Sequence, residues 1–264
     1  MAAQLDYSNV LVSQLVRLFN RHHIDMFNNE EFENTNIEKI CEALLKHKDV
    51  DVTSNNNEAI LQASEHGYTN IIKLLLENPN VDPTINNNQV FINICDNCQC
   101  DDVCTECDDT VNKCNCNKND KNIYAKFVEM LLKNPKVDPS AQDNKAIINA
   151  CFSCEGCNKT NLGIIKLLLD DPRVDPSTQD NRAIVEASDY NTIKLLLDDI
   201  RVNPSARNNI VLFNAYKNKD DRLIELLLKD SRIKISQDEL QTIIDASLIE
   251  EQSGSESESG SDSD

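Results

Sequence analysis

Two kinds of short apolar segment alternate along most of the chain, and both have the spacing of a helix. Within residues 57–80 the first segment places apolar side chains at i, i+1 and i+4, and the second follows the 3.6-residue period. The second helix is predicted to end before Pro79, because the residue before a proline avoids the helical region. A turn at Gly67 joins the first helix to the second. The apolar positions are Ala59, Ile60 and Ala63 in the first helix and Ile71, Ile72, Leu74, Leu75 and Leu76 in the second.

This helix pair recurs along the chain. Equivalent residues stand at positions 50, 81, 137, 174, 202 and 233, at intervals of 31, 56, 37, 28 and 31 residues. A unit of this length cannot bury its apolar face alone, so neighbouring units are expected to stack. The polar segment Asp82-Pro83-Thr84 predicts a turn between pairs, with proline presetting φ at its second position. The Asn or Asp residues that follow are expected to cap the next short helix.

These repeats resemble a known family. Ala63 and Gly67, followed by I-I-K-L-L-L at residues 71–76, are similar to the ankyrin repeat, and R-V-D-P-S-T-Q-D-N-R-A-I at 173–184 resembles ankyrin arrays encoded by giant viruses of amoebae. The resemblance covers residues 36–249. It implies an all-α, ankyrin-type solenoid of about six to seven helix-turn-helix repeats that binds other proteins. The family's T-P-L-H is absent, and Glu58-Ala59-Ile60-Leu61 stands in its place.

The two ends of the chain differ from the repeats. Residues 1–35 are expected to form an N-terminal capping helix or repeat, because terminal repeats are atypical; an independent docking motif is the alternative. Residues 250–264 alternate serine with acidic residues and are expected to be a disordered tail. The tail either solubilises the protein or is a target of an acid-directed kinase.

Ten of the eleven cysteines lie in two neighbouring inserts, at residues 95–122 and 151–160, within the turns between paired helices. The start of the chain lacks the basic region of a signal peptide, and no run of 18 apolar residues occurs. We therefore expect an intracellular protein, in a host cytoplasm or a virion if it is viral, and neither secreted nor membrane-spanning. In a reducing compartment, clustered thiols favour metal over disulfides.

The cysteine spacing predicts structural zinc. Aligning N-I-C-D-N-C with N-A-C-F-S-C brings two C-x-x-C pairs level, and four thiolates suit tetrahedral Zn²⁺. A second set within the first insert could hold another ion. Disulfides and unbound thiols remain the alternatives. The first site would use Cys95, Cys98, Cys151 and Cys154, the second Cys104, Cys107, Cys114 and Cys116, with Cys100 and Cys157 as substitutes.

The net charge of the chain limits the classes of molecule that it is expected to bind. The chain has 26 Lys and Arg against 45 Asp and Glu, a net charge of −19. This balance repels nucleic acid and anionic membranes, and it favours a protein partner with a basic surface. The sequence does not identify that partner or the oligomeric state. The residues expected to line a partner-binding rim are Gln142, Asp143, Gln179, Asp180, Arg207 and Asn208; helix capping is the alternative role for them.

Catalytic motifs are absent from the sequence, so we expect no enzyme. It has no G-x-S-x-G, H-E-x-x-H or phosphate-binding loop. The pairs Asp170-Asp171 and Asp198-Asp199 are interpreted as solvated faces. The sequence thus predicts a non-catalytic interaction scaffold with structural zinc at one edge. A ubiquitin-ligase substrate adaptor and a thiol-redox or metal-handling protein are the alternatives.

Overall fold

The computed structural model describes residues 51–96, 123–152 and 161–254. These residues form eleven helices and no strand, which confirms the all-α prediction for this part of the chain. None of the described helices is long and apolar enough to cross a bilayer. The helices are α1 Ser54–Glu65, α2 Thr69–Leu76, α3 Ile85–Asp96, α4 Ile123–Leu132, α5 Ala141–Cys151, α6 Leu162–Asp170, α7 Thr178–Glu186, α8 Tyr190–Leu197, α9 Ala206–Lys217, α10 Asp221–Leu228 and α11 Gln237–Gly254.

The chain divides into two compact units. Unit 1 comprises residues 1–150 and 163–174, and unit 2 comprises residues 151–162 and 175–264. In unit 1, α1 packs on α2 and on α3, while α4 packs on α3 and on α2. In unit 2, α7 packs on α8 and α9, α10 packs on α8 and α9, and α11 packs on α9. Each unit thus stacks successive helix pairs, as the short repeat predicts.

The apolar positions of the repeat form the core of each unit. Ile60, Ile72 and Leu75 are fully buried in unit 1, and Ile184, Leu196 and Leu212 are fully buried in unit 2. Burying an aliphatic side chain of this size contributes roughly 1.5–3 kcal/mol.

The repeat array was predicted to cover residues 36–249, and its N-terminal part lies outside the described residues. At the other end, α11 continues to Gly254, five residues into the segment predicted as tail.

The Asp-Pro turn is confirmed. The Asp82 carboxylate accepts hydrogen bonds from the backbone N–H of Thr84 at 2.9 Å and from its hydroxyl at 2.7 Å. Asp138 binds the N–H and hydroxyl of Ser140 in the same way. These short-range bonds fix the turn before each new helix pair, because a carboxylate two residues upstream mimics a backbone turn.

After this turn the backbone adopts a left-handed conformation that the sequence analysis did not anticipate. Three consecutive residues have φ between 49° and 62° in each of five repeats. The N–H of the third residue closes the turn on the Ser or Thr carbonyl four residues earlier, as from Asn88 to Thr84 at 3.0 Å. The right-handed helix starts only after it. Where the bond of the third side chain is described, Oδ1 accepts from the next repeat and not from the start of its own helix, so it does not have the expected capping role. The five left-handed turns are Asn55–Asn57, Asn86–Asn88, Gln142–Asn144, Gln179–Asn181 and Arg207–Asn209.

The third residue of every left-handed turn is asparagine, and three of these side chains hold the next repeat. Oδ1 of Asn57 accepts from the backbone N–H of Asp82 at 2.9 Å, and Oδ1 of Asn88 accepts from that of Asp138 at 3.0 Å. In unit 2 the pair is Asn181 and Asn203, at 2.6 Å. We call Asn57, Asn88 and Asn181 the asparagine ladder. Their burial is nearly complete, at 7–8% exposure, so each bond is shielded from water.

The turn between paired helices has its own left-handed residue. Gly67 (φ 72°) stands after α1, and the N–H of Tyr68 reaches back to the Ala63 carbonyl at 3.0 Å. In the last complete pair, Lys219 (φ 54°) takes the place of Gly67, and Asp220 donates to Ala215 at 3.0 Å. The repeat register puts Cys98 and Cys154 at this same position, so the cysteine inserts enlarge a turn that is tight elsewhere.

Replacing a ladder asparagine should destabilise the protein. Asn88→Ala removes the acceptor of the Asp138 N–H from a part-buried bond, which costs about 0.5–1.5 kcal/mol. The measurement is the free energy of unfolding in urea.

Asn87→Ala is the matched control. Asn87 has the same left-handed backbone, but its side chain is exposed and makes no bond of the ladder. Both variants lose the preference of asparagine for positive φ. Only Asn88→Ala also loses the hydrogen bond between repeats. Equal destabilisation by the two changes would contradict the ladder.

Candidate interaction surface and cysteine inserts

The six residues predicted to line a partner-binding rim all lie in the left-handed turns. Each is the first or second residue of its turn, whereas the third is an asparagine that is buried at 144 and 181 and half-buried at 209. Gln142 is half-buried and the other five are exposed. The turn therefore separates two roles, with the first two side chains near the surface and the third in the ladder.

The first residue of the turn also makes contacts between repeats. In unit 1, Nε2 of Gln142 donates to the Asn87 carbonyl at 3.2 Å and to Oε1 of Gln89 at 3.0 Å. In unit 2, a guanidinium nitrogen of Arg207 donates to the Gln179 carbonyl at 3.1 Å, and Nε lies 3.6 Å from the Asp180 carboxylate. Gln142 and Arg207 thus have a structural role, and the second residues of the turns remain the better candidates for contacting a partner.

The acidic pairs of the repeat are only partly solvated. Asp170 and Asp198 are exposed, as expected, but the side chains of Asp171 and Asp199 are only 12% and 14% exposed. Each binds an arginine two residues later at 2.6 Å. The interpretation of both pairs as solvated faces is therefore wrong for their second members.

Arginines at this position of the repeat bind the preceding repeat at the end of its outer helix, which is the second helix of each pair. Arg173 donates to the carbonyls of Leu132 and Val137, both at about 3 Å. Arg232, held by Asp230, donates to the carbonyls of Leu197 and Val202. Leu132 and Leu197 are the last residues of α4 and α8, where unpaired carbonyls and the helix dipole favour a cation.

Most of the predicted zinc ligands lie outside the described residues. The exceptions, Cys95 and Cys151, are at most 1% exposed at the ends of α3 and α5. In the repeat register both occupy the position of Ser64, which is fully buried in α1. A small buried residue thus occupies this point in three of the five repeats, while the other two have exposed Ser188 and half-buried Tyr216. The ligands outside the described residues are Cys98, Cys100, Cys104, Cys107, Cys114, Cys116, Cys154 and Cys157.

Burial raises the pKa of both described thiols. Desolvation raises the pKa of Cys95 far above its usual value, and Asp96 adds to the effect. Desolvation likewise raises the pKa of Cys151, with a further contribution from Asp189. Metal binding needs a thiolate, so this environment opposes ligation by these two residues. Within the described residues, no three His, Cys, Asp or Glu side chains are grouped so that they could hold a metal ion.

Comparison with known proteins adds no identification: no protein-family model, curated protein or solved structure matches the chain.

The ion pair of the last repeat should make stability depend on pH. The hydrogen bond from Arg232 lowers the pKa of Asp230 in the folded protein. A lowered folded pKa gives stability that is present above the unfolded value of about 3.9 and is lost as pH falls through the folded pKa. Wild type should therefore exceed Asp230→Asn in unfolding free energy at pH 7. The difference should begin to shrink below about pH 4 and disappear only below the folded pKa of Asp230.

The same comparison is then made in the Arg232→Gln background, because the lowered pKa of Asp230 depends on this partner. With Gln at position 232, the change Asp230→Asn should produce a much smaller pH-dependent loss, measured by urea unfolding between neutral and acidic pH. An unchanged pH profile in both backgrounds would contradict the pairing.

Proposed function

We propose that the protein is a non-catalytic scaffold that binds another protein through the left-handed turns. The observation that carries this proposal is the fixed presentation of surface side chains. The second residue of each turn is exposed, while in three of the five turns, found in both units, the third is buried and bonded to the next repeat. A surface held in this way loses little conformational entropy on binding, which favours affinity.

The charge of the chain favours a basic partner. Its net charge is −19, and Asp143 and Asp180 are exposed second residues of their turns. In unit 1 the exposed carboxylates of Asp82 and Asp138 lie in the Asp-Pro turns that precede two of the left-handed turns. Complementary charge raises the association rate and disfavours anionic competitors.

Adding positive charge to the left-handed turns tests the proposal. Asn87→Arg combined with Asp143→Arg changes two second residues of turns in unit 1. Arginine is tolerated in this backbone, because Arg207 has φ 49° in the equivalent turn. Partner proteins are captured from the native source and quantified by mass spectrometry. The turn variant should lose a partner that wild type retains.

The matched control makes the same two kinds of substitution, Asn to Arg and Asp to Arg, on the outer helices. Asn70→Arg with Asp170→Arg alters two exposed residues of α2 and α6 in the same unit. This variant should retain the partner. Equal binding by both variants would contradict binding through the left-handed turns, and thermal unfolding of each checks that both are folded.

We further propose that zinc organises the cysteine inserts, with the ligands drawn from the residues beyond Cys95 and Cys151. Support comes from the C-x-x-C spacing within the first insert and from the burial of the two thiols that begin the inserts. Between α3 and α4 the insert is polar, so a metal ion would supply the stability that an apolar core provides elsewhere. The ankyrin resemblance and the giant-virus origin stay expectations from sequence.

Two serine substitutions distinguish the buried cysteines from the proposed zinc ligands. Cys95→Ser should retain the full zinc content, since Ser64 occupies the equivalent buried position of α1. Cys104→Ser should lower it, because a structural zinc site needs four protein ligands. Zinc per chain is measured by elemental analysis after purification without added metal and extensive dialysis. Loss of zinc in Cys95→Ser, or no zinc in wild type, would contradict the assignment.

A further inference from the structure

The end of unit 2 leaves apolar positions uncovered that earlier repeats bury. Ile224, Ile233 and Ile243 are half-buried, although the same three positions of the repeat are buried in each earlier described copy. Leu228, the last residue of α10, is 42% exposed. We call Ile224, Leu228, Ile233 and Ile243 the terminal groove. One repeat earlier, the residues equivalent to the three isoleucines are at most 1% exposed: Ile193, Val202 and Leu212.

The terminal groove is open because α11 does not turn back into an outer helix. One repeat earlier, the outer helix α10 packs on its own inner helix α9 and on the preceding outer helix α8. Among the helices that the structure describes, none takes the corresponding place on α11 and α10. α11 instead continues for 18 residues, whereas the inner helices before it have 9 to 12. Residues 255–264 contain no apolar side chain with which to cover the groove.

Other positions of α11 carry polar side chains, as expected of a helix at the end of an array. Thr242 is exposed at the position of Val211, which is 2% exposed. Gln241 and Asp245 are also exposed, and the Gln241 amide donates to the Asp245 carboxylate at 2.8 Å. A terminal repeat needs a polar outer face for solubility. The terminal groove remains apolar beside these polar residues, which indicates a surface that another molecule covers.

The chain itself shows what fits such a groove. α10 fills the corresponding place one repeat earlier, and its buried residues are Leu223 and Leu227, at 5% and 0% exposure. These two leucines stand at i and i+4, so they lie on one face of the helix. The exposed pair Glu225 and Lys229 shows that α10 also has a charged side. The occupant that continues this series of contacts is therefore an amphipathic helix.

A second copy of the chain fits the terminal groove less well than a helix of another protein. The leucines that its described outer helices would offer are already buried in their own repeats, as Leu75, Leu196 and Leu227 are. Each copy also has a net charge of −19, which opposes association of two copies. We propose that the terminal groove binds an amphipathic helix of a partner protein, with leucine or isoleucine at i and i+4, as an added outer helix.

A synthetic outer helix is the probe that tests the proposal. The peptide covers residues 219–232 and carries a fluorescent label, and a lactam joins Glu225 to Lys229, because a helix this short is marginal in water. These two side chains are 68% and 71% exposed, so the bridge leaves Leu223 and Leu227 free. The full chain should bind the peptide saturably in fluorescence anisotropy. Leu228→Glu should weaken binding by about tenfold or more, because a carboxylate is costly to bury against apolar groups.

Met130→Glu is the matched control. Met130 is also 42% exposed and lies on an outer helix, α4, but in unit 1. This variant should bind the peptide as wild type does. Absence of saturable binding to wild type, or equal weakening by both changes, would overturn the proposal. Thermal unfolding checks that both variants are folded.

Photo-crosslinking locates the bound peptide, with benzoylphenylalanine in place of Ile224 of the peptide. Labels on α10 and α11 of the full chain support the proposal. Labels on α8 would overturn it, because they would show that the peptide displaces α10 from its own place. Sedimentation velocity of the unlabelled chain provides the last check. A dimer that Leu228→Glu abolishes would identify a second copy as the occupant and overturn the proposal, whereas a monomer supports it.

Discussion

The bond between a buried asparagine and the backbone of the next repeat is the interaction on which the described structure depends. Three successive left-handed residues are unfavourable by themselves, at about 1–2 kcal/mol each for most side chains and less for asparagine. One backbone bond closes the turn, and a net hydrogen bond contributes only about 0.5–1.5 kcal/mol. The turn therefore needs the neighbouring repeat, and the neighbouring repeat needs the turn to present Oδ1. This mutual dependence explains why asparagine occupies the third position in the three turns of the ladder.

A second set of contacts adjoins the ladder, because Arg173 and Arg232 bind a carbonyl at the end of the preceding outer helix. They also bind the carbonyls of Val137 and Val202, which belong to the peptide groups whose N–H the ladder binds. The ladder ties the starts of the inner helices, and the arginines tie the ends of the outer ones. Both use backbone groups as partners, so they constrain spacing between repeats without depending on the identity of the neighbouring side chains. The side chains left exposed in the turns can then vary, as Asn87, Asp143 and Arg207 do, which suits a surface for recognition.

Much of this architecture was predictable from sequence, because apolar periodicity reports which side chains are buried. The helix pairs and the Asp82-Pro83-Thr84 turn are confirmed. The left-handed turns were missed because asparagine favours both N-caps and positive φ, and the sequence does not distinguish the two. The recurrence of asparagine at the third position alone, with Gln, Asp and Arg at the others, was the available signal. The role of Arg173 could not be inferred, since its carbonyl partners lie 36 and 41 residues away.

Hydrogen exchange of individual backbone amides tests the asparagine ladder most directly. The N–H groups of Asp82, Asp138 and Asn203 belong to exposed residues, yet each is bound to a buried Oδ1. Lys234 occupies the equivalent place after the last turn, and within the described residues Oδ1 of Asn209 is buried without a partner. The three ladder amides should exchange slowly and Lys234 rapidly under native conditions. Exchange at one common rate for all four amides would contradict the ladder.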